Sequence, residues 1–94
     1  MAAGGLEFDW DEGNVRHLRR HRIAPAEFEE VLLNDPLDLE YQIENGEARY
    51  KALGATSRGR VLIIVWTIRE RKIRAVTGYG VSRALRRLYE ENRR

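Results

Sequence analysis

The strongest constraint on the fold is a change of hydrophobic pattern after Pro36. From Leu37 to Ile43, apolar side chains alternate with polar ones, which is typical of a half-buried β-strand. The pair Asn45–Gly46 follows, and it is the strongest short-range signal for a hairpin turn. The sequence therefore predicts that residues 48–55 return as an antiparallel strand.

Two more strands are predicted after this hairpin. Ser57–Gly59 supplies a turn, and residues 60–68 are apolar on both faces, as in a covered central strand. Residues 69–71 turn again, and residues 72–77 form the next strand. Four successive strands joined by short turns predict an antiparallel meander.

Helices and one short strand are predicted around the meander. Residues 6–10 alternate as a strand, Asp11 can cap a first helix, and Pro25 suits the start of a second. Ser82 can cap a last helix. The fold class is therefore α+β, in the order β-α-α-β-β-β-β-α, with the helices packed on one face. Residues 1–94 form one domain, with residues 1–5 and 91–94 expected to be flexible.

Composition excludes several classes of protein. The 94 residues contain no cysteine, which excludes disulfides, thiolate zinc sites and cysteine nucleophiles. The longest apolar run, Val61–Trp66, is far shorter than the ~20 residues of a membrane helix. The first residues lack the pattern of a signal peptide. A cytoplasmic protein without a membrane role is expected.

Charge is distributed unevenly along the chain. Residues 1–47 hold 12 acidic and 4 basic side chains, and residues 48–94 hold 13 basic and 3 acidic ones. A basic half of this strength favours a polyanion or an acidic protein as a partner. The alternative is that the two halves neutralise each other in the folded domain.

Several spaced motifs together resemble the BrnT toxins of type II toxin–antitoxin systems. The resemblance extends from about residue 6 to residue 90 and depends on these motifs: Phe8–Asp11, Arg20–His21, Phe28–Val31, Asp35–Pro36, Glu47–Tyr50, Leu53–Gly54, Leu62–Thr67, Ile73–Thr77 and Arg86–Tyr89. It implies a fold like that of the RelE ribonucleases, RNA cleavage without metal or cofactor, and inhibition of translation. It also implies neutralisation by a cognate, BrnA-like antitoxin, operator DNA bound only through that complex, and a dimer or a heterotetramer with the antitoxin.

The sequence departs from this family at two positions. Tyr79 stands where the family has an arginine after the last strand, and Leu85 stands where it has a glutamate in the final helix. Losing the arginine removes a phosphate-binding cation. Three alternatives therefore stay open: an active ribonuclease, a toxin-fold binding module that has lost cleavage, and a nucleic-acid-binding regulator.

The candidate catalytic residues are His21, Arg49 and Tyr79. Metal-free RNA cleavage needs a base, an acid and positive charge at the phosphate. Histidine suits proton transfer near neutral pH, and Arg49 matches the family's Glu-x-Arg pattern. Tyr79, between two glycines, suits base stacking or weak acid–base chemistry.

The candidate phosphate-binding residues are four further cations: Lys51, Arg74, Arg83 and Arg87. Lys51 shares a sheet face with Arg49 because the two are two residues apart in a strand. An ordinary solvated face is the alternative for these cations. His17 and His21 have the spacing of two metal ligands on a helix, but no third ligand accompanies them, so no metal is expected.

Overall fold

The fold is a four-stranded antiparallel sheet flanked by three helices. A computed structural model describes residues 6–93. Its elements are α1 (Glu12–Arg19), α2 (Pro25–Leu33), β1 (Leu37–Glu44), β2 (Glu47–Ala55), β3 (Val61–Arg69), β4 (Lys72–Gly80) and α3 (Arg83–Glu91). The strands lie in the order β1-β2-β3-β4, each antiparallel to the next. The predicted α+β class and meander are confirmed.

Two tight hairpins fix the register of the sheet. Asn45 and Gly46 both have positive φ, at 52° and 78°, as the turn between β1 and β2 requires. Glu70 and Arg71 adopt the same left-handed region, at 52° and 68°, between β3 and β4. The first hairpin has the residues that favour this geometry, whereas the second adopts it with two residues that do not.

One face of the sheet carries the main core. Leu62, Ile64 and Trp66 of β3 point to the same side, where they pack with Leu18 of α1 and Phe28 of α2. Leu62, Ile64, Leu18 and Phe28 are completely buried. Burying a side chain of this size contributes about 1.5–3 kcal/mol. Helices α1 and α2 therefore cover this face, α1 mainly over β4 and α2 over β2 and β3.

Helix α3 packs on the opposite face. Val61, Ile63 and Leu53 point away from the main core and pack with Tyr89 and Leu85 of α3. This differs from the expectation that all helices share one face. The physical reason is that β3 is apolar on both sides, so both sides need a cover. Because α3 covers only one end of its face, the rest of that face is open.

The predicted strand over residues 6–10 is wrong. Phe8 makes a single parallel bridge with Ile73: the Asp9 N–H donates to the Ile73 carbonyl at 2.8 Å, and the Ile73 N–H donates to the Glu7 carbonyl at 2.8 Å. The pairing of this segment with β4 stops because the side-chain amide of Asn14 donates to the Asp9 carbonyl at 2.9 Å and Asp11 caps α1. The cap turns the chain away from β4 before a strand can form.

The chain remains packed close to its C-terminal end. Helix α3 continues to Glu91, and the Arg93 guanidinium pairs with Asp35 at 3.0 Å and lies over the Tyr89 ring. Residues 91–93 therefore have defined contacts, and the expected flexibility of residues 91–94 stays a prediction. Residues 1–5 and 94, where flexibility is also expected, lie outside the described residues.

Candidate active site

A β-bulge in β4 shapes the open face of the sheet. Val65 pairs with Thr77, but the next residue of β3, Trp66, pairs with Ala75, so Val76 is an extra residue. A bulge shifts the alternation of side chains by one residue. As a result Arg74, Thr77 and Tyr79 share the open face despite their uneven spacing. A regular strand would have placed Arg74 on the face opposite to Thr77 and Tyr79.

The open face contains a cavity that brings three predicted site residues together. This first cavity, of about 250 Å³, is lined by Arg49, Lys51 and Tyr79, with Thr77 and Val65 behind them and Glu40, Gln42 and Glu44 along β1. Arg49 and Lys51 follow each other on the same side of β2. Both cations and the phenol can therefore contact one ligand.

Arg49 is only partly satisfied by its partners. Its Nη1 lies 3.4 Å from Glu44, and its Nη2 lies 3.3 Å from Glu47, both long for charge-assisted bonds. Its Nε is buried and has no hydrogen-bond acceptor among the described residues. A buried donor without a partner costs about 1–3 kcal/mol. Arg49 therefore has hydrogen-bonding capacity that its carboxylate partners use only in part.

Lys51 lies between a carboxylate and the Tyr79 phenol. Its Nζ is 3.1 Å from Glu40. The hydrogen bond to Glu40, followed by the electrostatic effect of the neighbouring Tyr79, raises the pKa of Lys51 above its ordinary value of 10.5. The same pair lowers the pKa of Glu40 below 4.5. Lys51 is thus a cation throughout the physiological range, and it is close to Tyr79.

Two histidines border the site on the α1 side. The His17 Nε2 is 3.0 Å from the Thr77 hydroxyl, which fixes its ring against β4. The His21 ring centroid is 5.8 Å from that of His17 and 6.3 Å from that of Tyr79. His21 is exposed, and its ring makes no hydrogen bond within residues 6–93. Its imidazole is thus exposed at the border of the first cavity, beside Tyr79.

A second cavity, of about 270 Å³, lies on the other side of Arg49. Its lining includes Arg49, Arg69 and Arg74, together with His17, Thr67 and Glu47. Glu47 pairs with Arg69 at 3.2 Å, and this bond is the largest cause of the lowered pKa of Glu47. Arg74 pairs with Asp11 at 2.8 Å and Asp9 at 3.5 Å. Arg74 is thus near the predicted site, but in a separate cavity.

The structure does not bring every predicted residue to this site. Arg83 and Arg87 are exposed on α3, and neither lines the two cavities. His17 and His21 are adjacent, but no group of three metal-ligating side chains exists among the described residues. The site therefore comprises Arg49, Lys51 and Tyr79 with His21 at its border.

Sequence reasoning missed three residues that line the two cavities: Thr77 in the first, and His17 and Arg69 in the second. His17 had a visible signal, since it lies four residues before His21 on the same helix face. Thr77 and Arg69 become part of the site through the bulge and the β3–β4 hairpin, and no sequence motif marks either feature.

Comparison with known families now decides what this site belongs to. A family model described as the ribonuclease toxin BrnT of type II toxin–antitoxin systems matches residues 10–83. The chain belongs to the BrnT family. This confirms the resemblance found in the sequence. No curated protein matches the chain at a significant level.

Both cavities lie within the residues that the family model matches. A BrnT toxin of a type II system implies an antitoxin partner. Among residues 6–93, no helix is long and apolar enough to cross a membrane.

Proposed function

We propose that this BrnT toxin is a metal-independent endoribonuclease that inhibits translation by cleaving RNA. The observation that carries the proposal is that Arg49, Lys51 and Tyr79 line one cavity, where Arg49 has only long contacts with its carboxylate partners. Family membership supplies the substrate class, since the matched family is one of ribonucleases. We propose that the protein acts in the cytoplasm, where translated RNA is present.

The reaction uses the 2′-hydroxyl of the RNA as the nucleophile. A base removes the 2′ proton as the bond between the 2′-oxygen and phosphorus forms. The bond from phosphorus to the 5′-oxygen then breaks, and an acid gives that oxygen a proton. The products are a 2′,3′-cyclic phosphate and a 5′-hydroxyl, so neither water nor a metal ion takes part in this step.

Each side chain of the site has a role that its position supports. Arg49 and Lys51 bind the phosphate and stabilise the negative charge of the transition state. His21, whose ring is free, is the base, and the Tyr79 hydroxyl beside Lys51 protonates the leaving oxygen. His17, held by Thr77, positions the His21 ring. Tyr79 thus takes the place of the missing arginine by a different chemistry.

Arg83 and Arg87 retain a secondary role in this proposal. Their exposed position on α3 suits contact with the RNA backbone at a distance from the scissile phosphate, where each cation adds sequence-independent affinity. Arg74 contributes in the same way from the second cavity.

The antitoxin completes the proposed function. We propose that a BrnA-like antitoxin neutralises the toxin, that only the complex binds operator DNA, and that it assembles as a dimer or heterotetramer. No metal or cofactor is required by the roles given above.

A second candidate function is a binding module that has lost cleavage. Glu40 and Glu44 pair with the two cations of the first cavity and compete with a phosphate for them. Together with Tyr79 and Leu85 in place of the family's arginine and glutamate, this favours weak catalysis. Such a protein would bind its partner and RNA but leave the RNA intact.

Cleavage of RNA in EDTA separates the two functions. The purified protein is assayed beside Arg49→Ala, Tyr79→Phe and the control Arg58→Gln, whose exposed side chain lies in the β2–β3 turn. We expect cleavage by the parent and the control, and losses of about 10²–10³-fold for Arg49→Ala and at least 10²-fold for Tyr79→Phe. No cleavage by folded protein, on free RNA or on translating ribosomes, would favour the binding module.

A further inference from the structure

The second cavity is lined by more cationic side chains than the first. The first cavity is lined by two cations, Arg49 and Lys51, and by two carboxylates, Glu40 and Glu44, so its formal charge is zero. The second is lined by three arginines and only one carboxylate, Glu47, for a net charge of +2 with His17 neutral. Asp9 and Asp11 pair with Arg74 from outside this lining, so the second cavity is distinguished by its three guanidinium groups and not by a larger total charge.

The geometry of β2 explains why the second cavity exists. The register of β2 with β3 extends from Ala55–Val61 to Tyr50–Trp66 and then stops. Beyond this point the Thr67 hydroxyl donates to the Ala48 carbonyl at 2.7 Å in place of a backbone bond. The guanidinium groups of Arg49, Arg69 and Arg74 line the space beside this contact.

Arg49 connects the two cavities, since it lines both. Its Nη2 contacts Glu47 on the side of the second cavity, while its Nη1 contacts Glu44 on the side of the first. Lys51 and Arg49 are two residues apart on β2, about 6.6 Å along an extended strand. Because Arg49 lines both cavities, two neighbouring phosphates of one RNA strand can lie on either side of its guanidinium.

We propose that the second cavity is an RNA phosphate subsite, which holds the phosphate next to the scissile one through Arg69 and Arg74. This inference rests on the proposed function for its ligand, an RNA backbone. The carboxylate partners set the strength of the subsite. Glu47 forms a salt bridge with Arg69 and partly neutralises it. Asp9 and Asp11, which lie outside the cavity lining, do the same for Arg74.

The test measures binding separately from cleavage. The probe is a short fluorescent 2′-O-methyl RNA, which has no free 2′-hydroxyl and so cannot be cleaved by the proposed step. Fluorescence anisotropy gives its affinity over a range of salt concentrations. The variants are Arg69→Gln, Arg74→Gln and Lys51→Gln, with Arg58→Gln as the control, which lies at the opposite end of β2 from Arg49.

We expect Arg69→Gln and Arg74→Gln each to weaken binding about three- to tenfold at low salt. Each should also lower the salt slope, which is the steepness of the fall of log binding constant with log salt concentration, by about 0.7, the value for one single-strand phosphate contact. The control should keep the slope of the parent. Unchanged slopes in both variants, with a lower slope in Lys51→Gln, would overturn the inference, as would no binding by the parent protein.

Two further readouts keep the outcome unambiguous. Arg74 also anchors Asp11, so thermal melting is measured for its variant, and the exposed Arg69 decides the result if Arg74→Gln is unstable. Cleavage of unmodified RNA is measured in parallel. If the parent protein cleaves RNA but the two arginine variants keep its salt slope, only the subsite is contradicted. If the variants lower the salt slope but the parent protein does not cleave RNA, only the ribonuclease function is contradicted.

Discussion

The Thr67→Val substitution tests how the sheet holds the site. Thr67 is 2% exposed, and its hydroxyl donates to the Ala48 carbonyl at 2.7 Å, just beyond the last backbone pair of β2 and β3. Valine has nearly the same shape but cannot donate, so the half-buried carbonyl loses its partner. We expect the free energy of unfolding to fall by about 1–2 kcal/mol.

Thermal unfolding measures this loss. For a domain of this size, 1 kcal/mol corresponds to about 4–8 °C in Tm, so Thr67→Val should melt roughly 5–15 °C below the parent. RNA binding should weaken as well, because Ala48 precedes Arg49 and the released strand no longer holds that guanidinium between the two cavities.

Thr67→Ser is the matched control. It keeps the hydroxyl and removes one buried methyl group, which costs about 0.8 kcal/mol. It should therefore retain the RNA affinity of the parent despite a small loss of stability. A valine variant that is as stable as the parent and binds RNA equally well would refute the reasoning.

Three further predictions concern stability. The pKa values of Asp11 and Glu47 are lowered, mainly by hydrogen bonds from the Asn14 N–H and from Arg69, so their stabilisation is present above their ordinary values of 3.8 and 4.5. It should disappear as the pH falls through the lowered values, and acid titration followed by circular dichroism would show this. Gly54→Ala should destabilise by about 1–3 kcal/mol in urea unfolding, because its Cβ would lie 3.0 Å from Val31 Cγ1. Arg71→Gly should raise Tm by relieving a positive φ of 68°, a gain of about 1 kcal/mol.

The sequence predicts those parts of the fold that local chemistry decides. Asn45–Gly46 adopts the positive φ angles that its residue types favour, and the apolar run in β3 is covered on both faces. The leading strand is not formed, because the Asp11 cap and the Asn14 side chain turn the chain after a single bridge. The alternation of apolar and polar residues over residues 6–10 does not show that helix capping by Asp11 competes with strand pairing.

In the site, too, local residue types predict some features and tertiary packing decides the others. The alternation of side chains along a β-strand predicts that Arg49 and Lys51 share a face of the sheet. Both line the first cavity with Tyr79. The bulge at Val76 brings Arg74 to that face as well, and the packing of α1 on β4 brings His17 to Thr77. Both are tertiary effects without a residue signature, so the second cavity is visible only in three dimensions.

The products of RNA cleavage test the central claim most directly. An RNA and a DNA of the same sequence are incubated with the protein in EDTA, and the ends of the fragments are analysed by mass spectrometry. We expect the RNA to be cut to fragments with 2′,3′-cyclic phosphate and 5′-hydroxyl ends, while the DNA stays intact. RNA fragments with 5′-phosphate ends, or cleavage of the DNA, would contradict that claim.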